Sequence, residues 1–293
     1  MRSLAVVLSA VLCAAPALAA APKTPAPPAK AAAKAYDPGF SKIMIVIFEN
    51  TNYPEALKQP FFKRFAETGA LLTNYHAITH PSQPNYVALV AGDTMGVIDD
   101  GHYDIVGKSL ADLLAAKGVS WGVYAENLRG VCAKADKQGL YRRKHEPFIS
   151  FKNVQSDPRL CRRIRPASAL AGDIKAGRVP DFSLYIPNMN DDAHDTNAAY
   201  ADKWFRRRFG PILADKKLMK TLVVVATFDE DWKTQQNHIY TALNGAGVEP
   251  GARSDARWDH YSLLRTVEDA FALGTLGRND AKAAPIEGIW RKK

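Results

Sequence analysis

Apolar positions along the chain fall into short blocks whose spacing alternates between strand and helix periods. Ile43–Phe48 is an unbroken, branched apolar run of strand length, and Leu222–Ala226 within 221–228 is another; such runs suit strands covered on both faces. Shorter apolar blocks at 70–73, 119–124, 182–186 and 238–243 predict further strands. Helical spacing lies between them. Residues 54–68 form one helical stretch, and Ser109 with Asp112 makes a capping box before Leu110, Leu113 and Leu114, which Gly118 closes. Leu263, Leu264, Val267 and Phe271 form a late helical stripe that Gly274 is expected to end. This alternation predicts an α/β fold around a mostly parallel sheet. From Glu126 to Pro180 the pattern dissolves into Arg, Lys and Pro, which predicts an insertion over one end of the sheet rather than a second domain.

The first residues change the picture of where the protein works. Arg2, the apolar run Leu4–Ala15 and the small-residue triplet Ala17-Leu18-Ala19 read as a secretory signal peptide over 1–19. Residues 20–35 are almost only Ala, Pro and Lys, too poor in apolar surface to offset the entropy of ordering, and read as a flexible tether. The domain is then 36–293, exported to the periplasm or the medium, without a stable membrane anchor, since no apolar segment has the length of a spanning helix. Cys13 leaves with the signal peptide, so Cys132 and Cys161 are the remaining pair in an oxidising compartment, which predicts a disulfide between them. The net charge is +9, of which Arg2 and three tether lysines supply four, leaving a modest +5. That favours small anionic substrates by steering. The basic runs 142–144, 162–165 and 206–208 read as solvated faces, and no nucleic-acid partner is expected. Oligomeric state is not legible.

Four polar clusters follow predicted strands, where ligands of open α/β sheets gather. Glu49-Asn50 follows the first strand, and Asp229-Glu230-Asp231 follows the strand at 221–228. Three adjacent carboxylates repel one another unless a cation lies among them. The turn Thr79-His80-Pro81-Ser82-Gln83-Pro84-Asn85-Tyr86 opens a helix with Ser82 at its start, where backbone N–H groups and the dipole favour an anion. Asn188-Met189-Asn190-Asp191-Asp192-Ala193-His194-Asp195 brings a histidine with a carboxylate beside it.

Taken together these clusters resemble the acid phosphatase and phospholipase C branch of the alkaline phosphatase superfamily. Ser82-Gln83-Pro84-Asn85-Tyr86 through Gly92 resembles its nucleophile turn, Glu49-Asn50 its first metal motif and Asp229-Glu230 its second; the stretch from His260 to Asp269 resembles its late His-Tyr-Ser-Leu-Leu-Arg-Thr-Val-Glu-Asp segment. The order and spacing extend from Lys42 to Gly274. The resemblance implies a three-layer α/β/α sandwich, Ser82 as nucleophile, and Glu49, Asn50, Asp229 and Glu230 as metal ligands. His194 is implied as the acid for the leaving group, with Asp191, His260, Asn85 and, from the basic stretch 143–147, His145 meeting phosphate. The zinc enzymes of the superfamily use a richer His set than this chain's seven histidines supply. An oxygen-rich set points to Ca²⁺, Mg²⁺ or Mn²⁺, whereas adding His194 or His260 admits Zn²⁺.

The implied activity is metal-dependent hydrolysis of small phosphoric monoesters through a phosphoserine, with N–H groups behind Ser82 helping to hold the phosphoryl oxygens. Its alternatives are a diesterase of the phospholipase C kind and a metal-stabilised binding protein without turnover. His80 and His238 read equally as structural histidines. No Gly-x-Ser-x-Gly elbow occurs, which argues against an ordinary serine hydrolase.

Overall fold

The run Lys42–Phe48 forms the first strand, β1, with six of its seven residues buried. In chain order it is followed by β2 (Ala70–Leu72), β3 (Trp121–Ala125), β4 (Ile164–Pro166), β5 (Phe182–Ile186), β6 (Leu222–Phe228), β7 (Thr241–Gly245) and β8 (Ala252–Ser254). They make one sheet in the order β8-β2-β7-β6-β1-β5-β3-β4. All strands run parallel except β7, which is antiparallel to both of its neighbours. The computed structural model describes residues 36–234 and 236–292; the expected signal peptide and tether lie outside them.

Side-chain alternation along β1 explains the layers. The principal helices are α1 (Tyr53–Leu57), α2 (Pro60–Thr68), α3 (Ser82–Ala91), α4 (Leu110–Ala116), α5 (Ala198–Ala214) and α6 (His260–Ala270). The Phe48 ring meets Phe62 of α2 and Trp204 and Phe205 of α5, with centroids 4.9, 5.8 and 5.3 Å away. The next residue, Glu49, points the other way and meets α3. Successive residues of a strand face opposite sides, so α2 and α5 cover one face, and α3 with its neighbours α4 and α6 covers the other. The result is the expected three-layer α/β/α sandwich.

Several boundaries differ from the sequence pattern. The stretch 54–68 is two helices, because Pro60 cannot continue α1 and instead opens α2. Asp202 of α5 caps α2 by accepting from Phe61 N and Phe62 N at 2.7 and 2.8 Å. The strand expected at 238–243 begins at Thr241 and continues to Gly245. The helix α6 ends at Ala270, and the left-handed turn falls already on Ala272 (φ 50°), ahead of Gly274. Within 126–180, β4 pairs in parallel with β3 and so belongs to the central sheet; three residues containing Arg and Pro are too short a run to show as a strand. The basic runs are not simply solvated either: Arg143 is buried against Asp104, and Arg165 pairs with Asp173. Among the described residues no helix is long and apolar enough to cross a membrane.

Cys132 and Cys161 form a disulfide at a sequence separation of 29. It ties the loop after β3 to the segment before β4. In the chain-entropy account a loop of this length stabilises the fold by about 3 to 4 kcal/mol. A Cys132→Ala/Cys161→Ala protein should lose about that much in urea unfolding, and the loss should be matched by reducing the native protein. An unchanged urea midpoint would show the bridge to be energetically idle.

A second prediction concerns a carboxyl pair beneath α3 and α6. Glu268 and Asp280 are both fully buried, and no donor reaches either Glu268 oxygen among the described residues. Asp280 instead accepts the N–H groups of Leu276 and Arg278 at 2.6 and 2.8 Å. Gly92, which ends α3 at φ 70°, is required here because a Cβ would lie 2.3 Å from Asp280 Oδ1. Burial and the neighbouring Asp280 push the Glu268 carboxyl up to about 9. The folded chain therefore keeps a proton that the unfolded chain releases near the ordinary glutamate value. Stability should fall as pH rises between those limits, with a slope of about 1.4 kcal/mol per pH unit from this group alone. Glu268→Gln should flatten that slope in urea titrations between about pH 5 and 8; an identical slope in the variant would refute the assignment.

Candidate active site

The polar residues that matter sit in a row where the adjacent parallel strands β6, β1 and β5 end. Phe48 and Phe228 are register partners, so Glu49-Asn50 and Asp229-Glu230 emerge side by side, tied by Asp229 N donating to the Phe48 carbonyl at 2.9 Å. From the other neighbour, the Asp192 carbonyl accepts Glu49 N at 2.9 Å. Ser82 is the first residue of α3 and is only 2 % exposed. Its Oγ donates to Glu49 Oε2 at 2.9 Å and lies 3.4 Å from Glu230 Oε1. One turn further along the same helix face, Tyr86 donates its hydroxyl to Glu49 Oε1 at 2.8 Å.

The turn before α3 is held by Asn85. Its Oδ1 accepts Ile78 N and Thr79 N, and its Nδ2 donates to the Thr79 and Pro81 carbonyls. The amide's donors and acceptor are engaged in fixing the loop that presents Ser82. The expected anion cradle is also reduced: Gln83 N donates to Asp100 Oδ1 at 3.0 Å, and Pro84 has no N–H.

His145 is fully enclosed. Its Nε2 lies 3.0 Å from Glu49 Oε1 and its Nδ1 3.6 Å from Asp192 Oδ2, and its ring stacks on Tyr86 with centroids 5.0 Å apart. It is thus buried against Glu49, Asp192 and Tyr86. For Glu49 burial works against the charge, but His145, Lys144 and the Tyr86 hydroxyl outweigh it and hold the carboxyl well below its usual range. Burial together with Glu49 and Glu230 pushes Asp229 well up, and burial with Glu49 and Asp100 pushes Glu230 up to about 8. Three carboxylates at one point resist simultaneous ionisation without a cation.

Glu230 receives Asn50 Nδ2 at 3.1 Å on Oε1 and His80 Nδ1 at 2.5 Å on Oε2. Asn50 Oδ1, Asp229 Oδ2 and Asp192 Oδ2 are buried without any hydrogen-bond partner. Among the described residues no group of three or more His, Cys, Asp and Glu side chains converges as metal ligands in this arrangement, because Glu49 and Glu230 are turned onto Ser82, Tyr86, Asn50 and His80. The donor chemistry nonetheless fits a hard divalent cation: the atoms left over are oxygens, they are buried, and they border ionisable carboxylates.

The side chains of the remaining expected residues have partners other than Ser82 and the Glu49 and Glu230 carboxylates. His194 is 35 % exposed, with Nδ1 2.8 Å from Asp195 Oδ1, and its backbone N donates to Asp192 Oδ1 at 2.8 Å. Asp191 accepts from Asn188 Nδ2 at 2.7 Å. His260 is buried, with Nδ1 on the Tyr75 hydroxyl at 3.1 Å and Nε2 on the Asp229 carbonyl at 3.0 Å. Both ring nitrogens have partners inside the protein, the Nε2 contact tying His260 to the Asp229 backbone. His238 is structural: it stacks on Tyr53 and His76 and contacts the Thr73 carbonyl. Sequence reasoning missed Tyr86, Asp192, Asp100 and the site role of His80. Only Tyr86 carried a readable signal, the four-residue spacing from Ser82; the others sit in loops without periodicity.

Comparison with known proteins gives the chain's family. Residues 50–274 match the profile described as the Phosphoesterase family. An acid phosphatase of Aspergillus fumigatus is 33 % identical over 266 residues, covering 86 % of this chain and 60 % of the fungal protein. The chain therefore spans about three fifths of that relative's length. The phosphatidylinositol-3-phosphatase of Mycobacterium tuberculosis is 34 % identical over 259 residues, 86 % of this chain and 84 % of that protein. Among solved structures, an alkaline phosphatase superfamily protein from Vibrio parahaemolyticus superposes with a TM-score of 0.57 at 12 % identity, over 86 % of this chain and 72 % of the other. The profile match over most of the domain, together with relatives about one third identical, shows that this chain belongs to the Phosphoesterase family.

Proposed function

We propose that this protein hydrolyses phosphoric monoesters, with Ser82 attacking phosphorus and a divalent cation held by Glu49, Asn50, Asp229 and Glu230. The observation that carries the reading is the Ser82 hydroxyl, buried at a helix start and donating to Glu49 at 2.9 Å, beside partnerless carboxylate and amide oxygens. A cation bound there supplies charge neutralisation and lowers the hydroxyl's pKa. Glu49 orients the hydroxyl and offers an acceptor for its proton. Tyr86 and His145 hold Glu49 from behind, so that the carboxylate keeps its aim. Ser82 Oγ forms a bond to phosphorus as the ester oxygen departs; His194, with Nδ1 on Asp195, has Nε2 left to protonate that oxygen. Water then releases phosphate from the serine. Relatives named as acid phosphatases and as a phosphatidylinositol-3-phosphatase support the monoester reading over the diester one.

Acid quenching during turnover of p-nitrophenyl phosphate, followed by peptide mass spectrometry, should find a phosphoryl group on the peptide containing Ser82. Turnover with that peptide unmodified, and another residue phosphorylated, would remove Ser82 from the role.

A further inference from the structure

Resting on the monoester reading, we propose that Lys144, pinned by Asp100 beside the nucleophile, is the cation that binds a non-bridging phosphoryl oxygen and selects dianionic monoesters over diesters. Lys144 Nζ lies 2.6 Å from Asp100 Oδ2, and the ammonium-bearing side chain is only 16 % exposed. The other oxygen of the same carboxylate accepts Gln83 N at 3.0 Å, one residue after Ser82. Asp100 therefore bridges the lysine to the first turn of α3. On its other side Lys144 is followed by His145, whose ring touches Glu49. The lysine is thus anchored at both ends of the group that activates and orients Ser82.

Chemistry at this spot needs a cation. Backbone donors that would ordinarily meet phosphoryl oxygens at a helix start are depleted here, with Gln83 N given to Asp100 and none on Pro84. The Gln83 carboxamide, 1 % exposed, has neither its nitrogen nor its oxygen partnered, so the polar surroundings of Ser82 are incomplete in the protein alone. An ammonium has three donors, and Asp100 takes one of them. Burial opposes the Lys144 charge, but Glu49, Asp100 and Asp229 more than compensate and keep the ammonium pKa raised. A monoester dianion has a third non-bridging oxygen to meet this ammonium. A diester has an alkyl or aryl oxygen in that place, carries one charge fewer, and would desolvate the ammonium without a full partner.

The test compares p-nitrophenyl phosphate with bis-p-nitrophenyl phosphate for the native protein, Lys144→Gln and Lys144→Arg. Lys144→Gln should lose about 10- to 100-fold in kcat/KM on the monoester, the worth of a charge-assisted hydrogen bond, and roughly threefold or less on the diester. Lys144→Arg should restore most of the monoester rate. Equal losses on both esters, or none on either, would overturn the proposal. Inorganic phosphate binding, followed by calorimetry, separates this claim from the hydrolytic reading. If the native protein turns over neither ester, that reading fails, while Lys144→Gln should still weaken phosphate binding by about tenfold; unchanged affinity would overturn the lysine's role. Should Lys144→Gln not fold, Asp100→Asn decides instead. Asparagine at that position loses the charge that anchors the ammonium, so phosphate should bind roughly threefold more weakly, and unchanged or tighter binding counts against the pinned-lysine arrangement.

Discussion

Ser82→Ala is expected to abolish measurable turnover while leaving the fold in place. The hydroxyl's bonds are to Glu49 and, at longer range, Glu230. It caps no backbone N–H of its own helix, where Pro81 is the N-cap residue. Its loss should therefore cost at most about 1 to 2 kcal/mol of stability, the usual toll of one buried hydrogen bond. The chemical loss is of another order. Without a nucleophile the covalent route closes, and only what the electrostatic surroundings do for direct attack by water remains, so kcat should fall by about three orders of magnitude or more. Steady-state kinetics on p-nitrophenyl phosphate, with circular dichroism as a fold check, reads both parts. A folded variant within tenfold of native kcat would exclude Ser82, and Thr79, the other hydroxyl of the turn, would be examined next.

Metal removal is the second large effect expected, and its sign in stability is as informative as its effect on rate. Glu49, Asp229 and Glu230 are all essentially buried, and burial combined with mutual repulsion drives Asp229 and Glu230 upward in pKa. Chelated protein should lose turnover and regain it on adding back Ca²⁺, Mg²⁺, Mn²⁺ or Zn²⁺, the best of these naming the metal. It should also unfold more easily: an ion present at a hundred times its Kd stabilises the fold by about 2.7 kcal/mol. Asp229→Asn separates ligation from repulsion. The variant should show little or no thermal shift with metal, yet its chelated form should be at least as stable as chelated native protein, because folding no longer has to protonate a buried carboxyl at neutral pH. Full activity after chelation, with metal loss verified by elemental analysis, would refute the cation's role. A metal-induced thermal shift retained in full by Asp229→Asn would exclude Asp229 as a ligand.

The α/β alternation with its mostly parallel sheet and the strand-end location of the chemistry were legible from residue order, while the three-layer sandwich was implied by the family resemblance. Continuous apolar runs such as Ile43–Phe48 and Leu222–Ala226 have one stable use, a strand covered on both faces, and polar residues placed directly after them must emerge at the sheet's carboxyl edge. Local pattern likewise placed Ser82 at a helix start, since two prolines and a following apolar stretch define a turn opening into a helix, and the family resemblance supplied its role. What the sequence could not decide was which polar groups face one another. That Glu49 rather than a histidine receives the Ser82 hydroxyl follows from the parity of β1, which sends Phe48 to α2 and Glu49 to α3, and from the register that sets it beside Asp229. Asn85 and His260 have the right chemistry for phosphate, but tertiary contacts spend their donors and acceptors on the loop at 78–81 and on the Asp229 carbonyl. Lys144 and His145 arrive on a single 3-10 turn, Arg143–His145, and Asp100 from a loop, none of them in a repeating pattern. Their positions are set by packing against α3 across long chain separations, and sequence spacing carries no record of such distances.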